Sequence, residues 1–448
     1  MSIETSFEGT PSWQPLDPAR HVAASGVPSS HATSSRDGSG TLLIYAPVPL
    51  RRGPTGLLVE RQAANGIRLW AENFVRVIVL MPLAEGPPRG DWIPLDGEGV
   101  LPRNVQMEWV PEAYRPDRFL RALPAVRRKL RRLIGEADHL SFAIGGLFGD
   151  WGATASFEAH RMGRPFAVWT DRVESEVVRR TAGQGRFKSR LRARLTHRPM
   201  AWLERAVIRR AALGLFHGRE TFEAYAPWSA NPQIVHDIHI ATRDHLGPAG
   251  LERKVAACAE GPLKLCYVGR ADAMKGPLDW IAALEALAAQ GVDFQATWLG
   301  QGELLEEMRS RIELLGLGSR VSAPGHASNR EMVLDAMREA HLFMFCHLTP
   351  ESPRCLIEAL VSACPIVGYG SAYASDLIAG NDGGVLVERG DVSGLAQAVV
   401  DLAGNRAKLS TLMRRAALDG APFDDVSVFR HRSELIKEHL PLASSRSN

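Results

Sequence analysis

From residue 263 onward the chain repeats one unit: a short run that is apolar at nearly every position, a polar loop, then a helical stretch with an apolar stripe. LKLCYVG leads to PLDWIAALEALAAQG, FQATWLG to GELLEEMRSRIELLG, RVSAPG to NREMVLDAMREA and HLFMFCH to PRCLIEALVSA, with CPIVGYG following. Apolar runs without alternation suit strands of a parallel sheet covered on both faces. Strand–helix repetition of this kind builds doubly wound α/β domains. At 448 residues the chain is too long for one ordinary core, so two or three domains are expected.

The first half follows the same grammar less regularly. TLLIYAPVPL reads as a first strand, with a Gly-containing loop over 51–56 after it, whose Gly53–Gly56 stretch suits either close backbone approach to a ligand or a structural turn, and a helix over 57–74. VRVIVLMPL, VQMEWV, HLSFAIGGLFG and PFAVWTD follow as further strands, with GLFHG as the last of this half. The expected organisation is a disordered lead-in over 1–40, rich in Ser, Pro and Gly. A Rossmann-like domain over 41–240 comes next, then a second over 241–424. The final helix, within 425–448, crosses back to the first domain.

Hydrophobic residues make up 45% of the chain and charged residues 23%, the balance of a water-soluble globular protein. No apolar run approaches a bilayer span, and no basic segment followed by an apolar core marks a secretory signal. None of the five cysteines forms a Cys-x-x-Cys pair, which favours reduced thiols and a cytoplasmic location over disulfides or a zinc site. The net charge of +3 conceals an asymmetry: residues 118–210 hold about twenty Lys/Arg against about eight Asp/Glu. RFLRALPAVRRKLRRLIG and GRFKSRLRARLTHRPMAWLERAVIRR carry most of it, mixing arginine with Leu, Phe and Trp at helical spacing. Two solvated helix faces would explain this pattern, and so would peripheral docking on an anionic membrane. Nucleic acid is disfavoured because no recognition motif accompanies the charge.

In open parallel sheets ligands bind beyond the carboxyl ends of the strands. After LKLCYVG come Gly269, Arg270 and Lys275, a relaxed backbone with two cations beside a helix start, suited to a diphosphate. After FQATWLG, Gly300-Gln301-Gly302 permits close backbone approach, at Gly302 above all. Past HLFMFCH, Glu351 and Glu358 are acceptors for vicinal hydroxyls, and the helix-start amides of Arg354, Cys355 and Leu356 face phosphate oxygens. Each feature also has a structural explanation: surface ion pairs for the cations, strand–helix punctuation for the glycines, dipole-favoured charge for Glu351. In the first half, Asp171 closes PFAVWTD and Asp150 follows HLSFAIGGLFG; either can hold a substrate hydroxyl or assist its deprotonation. Asp171 reads equally as the N-cap of RVESEVVRR. His236-Asp237-x-His239 lacks an evident third ligand for a metal site.

In this order and at these separations, VGR…KG, LGQGEL, APGH, PESPRCLIEAL, CPIVGYG and GVLVERGD resemble the donor domain of retaining GT-B glycosyltransferases. That large group carries a Glu-(seven residues)-Glu motif. The resemblance covers about 263–420 and implies two Rossmann-like domains facing across a cleft. It implies Arg270 and Lys275 on the diphosphate of a nucleotide-sugar donor, Glu358 on the ribose and Glu351 on the transferred sugar. The amino-terminal half is then the acceptor domain, taking a carbohydrate, lipid-linked or small-molecule hydroxyl. No metal or other cofactor is implied. Two positions depart from the group: six residues, not seven, separate Glu351 from Glu358, and Cys364 precedes Pro365 where glycine is usual. A GT-B epimerase or phosphorylase, and a nucleotide-sugar-binding regulator without activity, are the alternatives.

Overall fold

The computed structural model describes residues 40–442, apart from 54–55, 87–91, 96, 98, 182–186, 328–329, 350 and the side chains of 180–190 and 192. The lead-in expected over 1–40 lies outside the described residues, Gly40 excepted.

Two sheets organise the chain. The first contains β1 (Thr41–Tyr45), β2 (Leu50–Arg52), β3 (Leu57–Glu60), β4 (Arg76–Ala84), β5 (Trp92–Pro94), β6 (Val105–Pro111), β7 (His139–Ala143), β8 (Ala167–Thr170), β9 (Leu213–His217) and β10 (Pro232–Val235). Seven of these run parallel in the order β6-β4-β1-β7-β8-β9-β10, while β2, β3 and β5 extend the sheet beyond β4. The second contains β11 (Leu263–Val268), β12 (Phe294–Leu299), β13 (Val321–Gly325), β14 (Leu342–Phe345), β15 (Ile366–Tyr369) and β16 (Gly384–Val387). It is wholly parallel, in the order β13-β12-β11-β14-β15-β16.

Helices join and cover the strands. In the first lobe these are α1 (Arg61–Asn73), α2 (Pro116–Glu136), α3 (Trp151–Arg161), α4 (Glu174–Thr181), α5 (Phe187–Ile208) and α6 (Gly218–Tyr225). The second lobe has α7 (Pro248–Ala257), α8 (Pro277–Ala289), α9 (Leu305–Leu314), α10 (Arg330–Glu339), α11 (Arg354–Val361), α12 (Ala372–Leu377), α13 (Val392–Gly404) and α14 (Arg406–Gly420). Leu42 and Leu43 are adjacent in β1, point to opposite faces and are both fully buried, so both faces of that sheet are covered. The last helix, α15 (Asp425–His439), packs on α1, with Phe429 edge-on to Trp70 at 5.3 Å.

Two local expectations are corrected, and one departure is explained. Leu57–Glu60 is not helical: it pairs antiparallel with β2 and β5, because the turn closed by Gly53 N–H on the Gly56 carbonyl (2.7 Å) sends it back as a hairpin. GLFHG is not the last strand of the first lobe; β10 adds one more parallel edge strand, drawn from a stretch whose Pro and Gln residues mask the strand signal. At the end of α11 the chain turns at Ala363, which takes the left-handed conformation (φ 51°), so Cys364 itself needs no glycine and sits buried against the Ala340 carbonyl. All five cysteines are free.

One buried carboxylate makes the first lobe pH-sensitive. Glu204 on α5 accepts from the Ser175 amide (3.0 Å) and hydroxyl (2.6 Å), and burial pushes its pKa up to about 7. The folded form therefore holds its proton longer than the unfolded chain, and stability falls as pH rises from about 4.5 to 7. Glu204→Gln keeps the volume without the titration. Thermal melts should show it more stable than the native chain at pH 8 and equal to it at pH 4.

Candidate functional site

Strand order reverses in each sheet beside its first strand, between β1 and β7 and between β11 and β14. Such switch points open a crevice at the strand carboxyl ends. In the second lobe that crevice is built by two pinned loops. After β11 the chain makes a 3-10 turn over Ala273–Lys275, and Gly276 ends it in the left-handed conformation (φ 62°). A Cβ at Gly276 would lie 2.2 Å from the Cys346 carbonyl, and the Leu348 amide donates to the Met274 carbonyl at 2.9 Å. Only glycine lets the two loops close to this distance.

That closure sets Lys275 against Glu351. Both are buried, and Lys275 Nζ donates to Glu351 Oε1 at 2.7 Å. His347 stands 3.9 Å from the same oxygen and is bonded to the Tyr267 hydroxyl (2.8 Å); burial, reinforced by Lys275, holds its pKa well below the usual histidine range, so it is neutral. The two residues assigned separately to diphosphate and sugar therefore satisfy each other. Arg270 is mostly exposed, and its guanidinium pairs with Asp272 at 2.9 Å. Glu358 is largely buried and takes Arg330 as partner at 3.2 Å.

Pro353 at the N-cap of α11 offers no side-chain acceptor, and the Leu356 amide turns back onto the Pro353 carbonyl (3.2 Å). Leu356 is thereby withdrawn from anion binding, and the amides of Arg354 and Cys355 stand at the open end of the helix. The Cys355 thiol is pushed up to about 12 by burial, which makes it an inert neighbour rather than a nucleophile. Gly300 and Gly302 have a reason inside the protein. Their Cβ positions would fall 1.9 Å from the Gly269 carbonyl and 2.4 Å from the Ala271 backbone, so these glycines let the β12 loop close over the β11 loop.

The first lobe's switch point opens into a cleft of about 640 Å³. Tyr45 and Ile144 mark the ends of β1 and β7 in its wall; Tyr114, Trp70 and Trp169 supply aromatic surface. Asp171 lines it, exposed; α4 begins only at Glu174, so Asp171 is not its N-cap. Asp150 lines it too, as the N-cap of α3, accepting from the Ala153 (2.8 Å) and Gly145 (3.0 Å) amides. Burial pushes its pKa up to about 6 against those amides.

The far wall comes from elsewhere in the chain. Arg354 and, from α15, Arg432 reach the cleft and converge on Asp237, at 3.8 and 3.1 Å. Burial opposes the Asp237 charge, but the two guanidiniums outweigh it and bring its pKa down to about 2. Burial pulls neighbouring His239 down to about 4, so it is neutral. Asp237 is thus consumed by arginines and His239 faces the cleft as a neutral group. Among the described residues no group of three or more His, Cys, Asp or Glu is placed to hold a metal ion.

Of the residues expected from sequence, Asp150, Asp171 and Arg354 line this cleft, whereas Arg270, Lys275, Gly302 and Glu358 are not part of its lining. The junction is Arg172, which lines the cleft and forms a single backbone bridge with Glu351. Beside it the Ser352 hydroxyl donates to the His217 carbonyl (2.5 Å), and Arg219 pairs with Asp376 (2.8 Å). Sequence reasoning missed this contact, although Gly218, directly after a strand and at a helix start, was its visible mark.

Residues 250–418 match the family model described as Glycosyl transferases group 1. The amylovoran biosynthesis glycosyltransferase AmsK of Erwinia amylovora is 26% identical over 204 residues, 44% of this chain and 50% of that protein. The 2-deoxystreptamine N-acetyl-D-glucosaminyltransferase of Streptomyces fradiae is 28% identical over 222 residues, 46% and 51% of the two chains. The chain thus spans about half the length of these curated relatives. The crystal structure of Anabaena HepE in complex with UDP superposes with a TM-score of 0.62 at 16% identity, covering 89% of this chain and 99% of that one. Residues 250–418 therefore carry the glycosyl transferases group 1 pattern, in a chain folded as the GT-B glycosyltransferases are.

Proposed function

We propose that this chain is a glycosyltransferase that moves a sugar from a nucleotide-diphosphate donor to an acceptor hydroxyl with retention at the anomeric carbon. The observation that carries the reading is the buried Lys275–Glu351 pair at the second lobe's switch point, joined through Arg172 to the first lobe's cleft.

Donor enters where Lys275, Arg270 and the open amides of Arg354 and Cys355 converge on a diphosphate. Lys275 exchanges Glu351 for a phosphate oxygen, and Glu351, released, accepts hydrogen bonds from the sugar hydroxyls. Glu358, oriented by Arg330, accepts from the ribose. The acceptor occupies the 640 Å³ cleft, where Asp171 orients its hydroxyl. The bond from anomeric carbon to diphosphate oxygen breaks, and the hydroxyl oxygen bonds that carbon from the same face. Its proton passes to the departing phosphate oxygen. Protein cations and helix-end amides meet the developing charge, so the reading requires no cofactor.

AmsK's role in amylovoran synthesis suggests glycan or glycoconjugate assembly as the setting, and the UDP in HepE makes uridine nucleotides the first donors to try. The test is a thermal-shift panel of nucleoside diphosphates and their sugars, followed by proton NMR of the product formed from the best donor. A melting-temperature rise with one nucleotide series and a product of unchanged anomeric configuration are expected. Inverted product would overturn retention; turnover of donor without any acceptor would point to an epimerase; binding with no transfer would leave a regulator.

A further inference from the structure

One face of the first lobe has chemistry that sugar transfer does not use. Glu158 on α3 has its side chain almost wholly buried and receives three guanidiniums: Arg127 (2.7 Å) and Arg131 (2.6 Å) from α2, and Arg161 (2.8 Å) from α3 itself. One carboxylate thus fixes three cations, and two positive charges remain in excess. The three side chains keep a third to well over half of their surface in solvent, so the excess charge is presented outward.

Beside this cluster, α2, α3 and α5 enclose a groove of about 270 Å³ floored by Phe119, Leu123, Leu147, Phe157 and Leu203, with Arg127 and Arg161 at its edge. On α5, which supplies Leu203, Leu191, Leu195 and Trp202 are 49%, 66% and 69% exposed. Their spacing of four and seven puts all three on one stripe of the helix. Arg194, Arg198 and Arg205, all exposed, are interleaved along the same side. Leu120 on α2 is 64% exposed, among exposed Arg118, Arg121 and Arg128.

We infer that this α2–α3–α5 face docks on an anionic phospholipid bilayer. The combination selects the partner. Leucines and a tryptophan projecting from a helix between arginines fit the headgroup boundary, where the indole ring and the aliphatic chains enter the lipid and guanidiniums meet phosphates. Fixed excess cations on a carboxylate scaffold complement negative lipid, and the apolar groove accepts the hydrocarbon that such contact brings. A nucleic-acid surface would need cations with stacking aromatics, not exposed leucines over an apolar groove. Asp150 lines both this groove and the large cleft, so a docked molecule holds its cleft next to the lipid surface. No helix among the described residues is long and apolar enough to cross a membrane, so attachment is to the surface. This inference stands whether or not sugar transfer is the activity.

The experiment is co-sedimentation of the full chain with vesicles of phosphatidylcholine alone and with 30 mol% phosphatidylglycerol, over a range of salt. The native chain should partition onto the anionic vesicles at least tenfold more strongly than onto neutral ones, and less so as salt rises. Leu195→Ser/Trp202→Ser should weaken binding roughly tenfold or more at every salt concentration. Arg194→Gln/Arg198→Gln should weaken it roughly fivefold per cation at low salt, converging on the native value at high salt. All four positions are exposed, so circular dichroism and melting temperature should match the native chain. Equal partitioning onto both vesicle types would overturn the inference. So would native-like binding by both variants, or retention on single-stranded RNA with none on vesicles.

Discussion

Lys275→Ala should lower kcat/KM for sugar transfer by at least about 10³-fold, the loss of roughly 4 kcal/mol of transition-state stabilisation. Two effects combine. In the proposed mechanism the departing diphosphate loses a buried cation, and Glu351 is left buried without the ammonium that now sits 2.7 Å away. Stranding a buried carboxylate costs about 3–5 kcal/mol by itself, so the single variant should also melt at lower temperature. The double variant Lys275→Ala/Glu351→Gln separates the two. Removing both charges should restore most of the melting temperature while transfer stays absent, because stability follows the pair and chemistry follows the lysine. Initial rates and melts on the four chains of this cycle give the answer. A Lys275→Ala chain that still transfers sugar at a native rate would remove the diphosphate assignment.

Gly218→Ala should damage the molecule at a different point, the seam between the lobes. Gly218 has φ 71°, and a Cβ there would lie 2.2 Å from the ring of Tyr373, which is fully buried, and 2.7 Å from the Ser352 hydroxyl. The left-handed backbone alone costs a residue with a side chain about 1–2 kcal/mol. The clash adds overpacking, and a total of about 3 kcal/mol is expected. Gly163→Ala is the matched control, since Gly163 has φ 65° with open space around its Cβ position. The excess loss in Gly218→Ala over Gly163→Ala measures the seam. The seam also positions Glu351 through the bridge to Arg172, so Gly218→Ala should reduce kcat roughly 10²-fold while Gly163→Ala leaves it unchanged. Equal effects of the two substitutions on kcat would show that the seam does not position the site.

Much of the fold was legible because its signals are local. The second-lobe strands are apolar at almost every position, and each is followed by a striped helix, so β11 to β15 and their helices could be read directly. The errors fall where a short strand depends on a distant partner: Leu57–Glu60 looks helical until the hairpin turn sets it against β2, and β10 exists only because β9 offers an edge. At the site, residue types at strand ends marked Arg270, Lys275, Glu351 and Glu358 as candidates, but not what they touch. That Lys275 takes Glu351, that Arg330 takes Glu358 and that Leu356 loses its amide to Pro353 are outcomes of three-dimensional closure. The arginine from α15 that reaches the cleft lies 195 residues from its Asp237 partner, a separation no motif could bridge. The basic helices showed their charge in sequence, but only the fold shows which of their leucines and tryptophans remain in solvent.

The exchange at Lys275 is the centre of the proposed mechanism, and calorimetric titration of UDP into three chains tests it most directly. With Glu351→Gln the lysine has no ion pair to give up, so UDP should bind more tightly than to the native chain; with Lys275→Ala, affinity should fall about 100-fold or more. Identical UDP affinity in all three would mean that Lys275 never leaves Glu351 for a phosphate, and the mechanism would be contradicted.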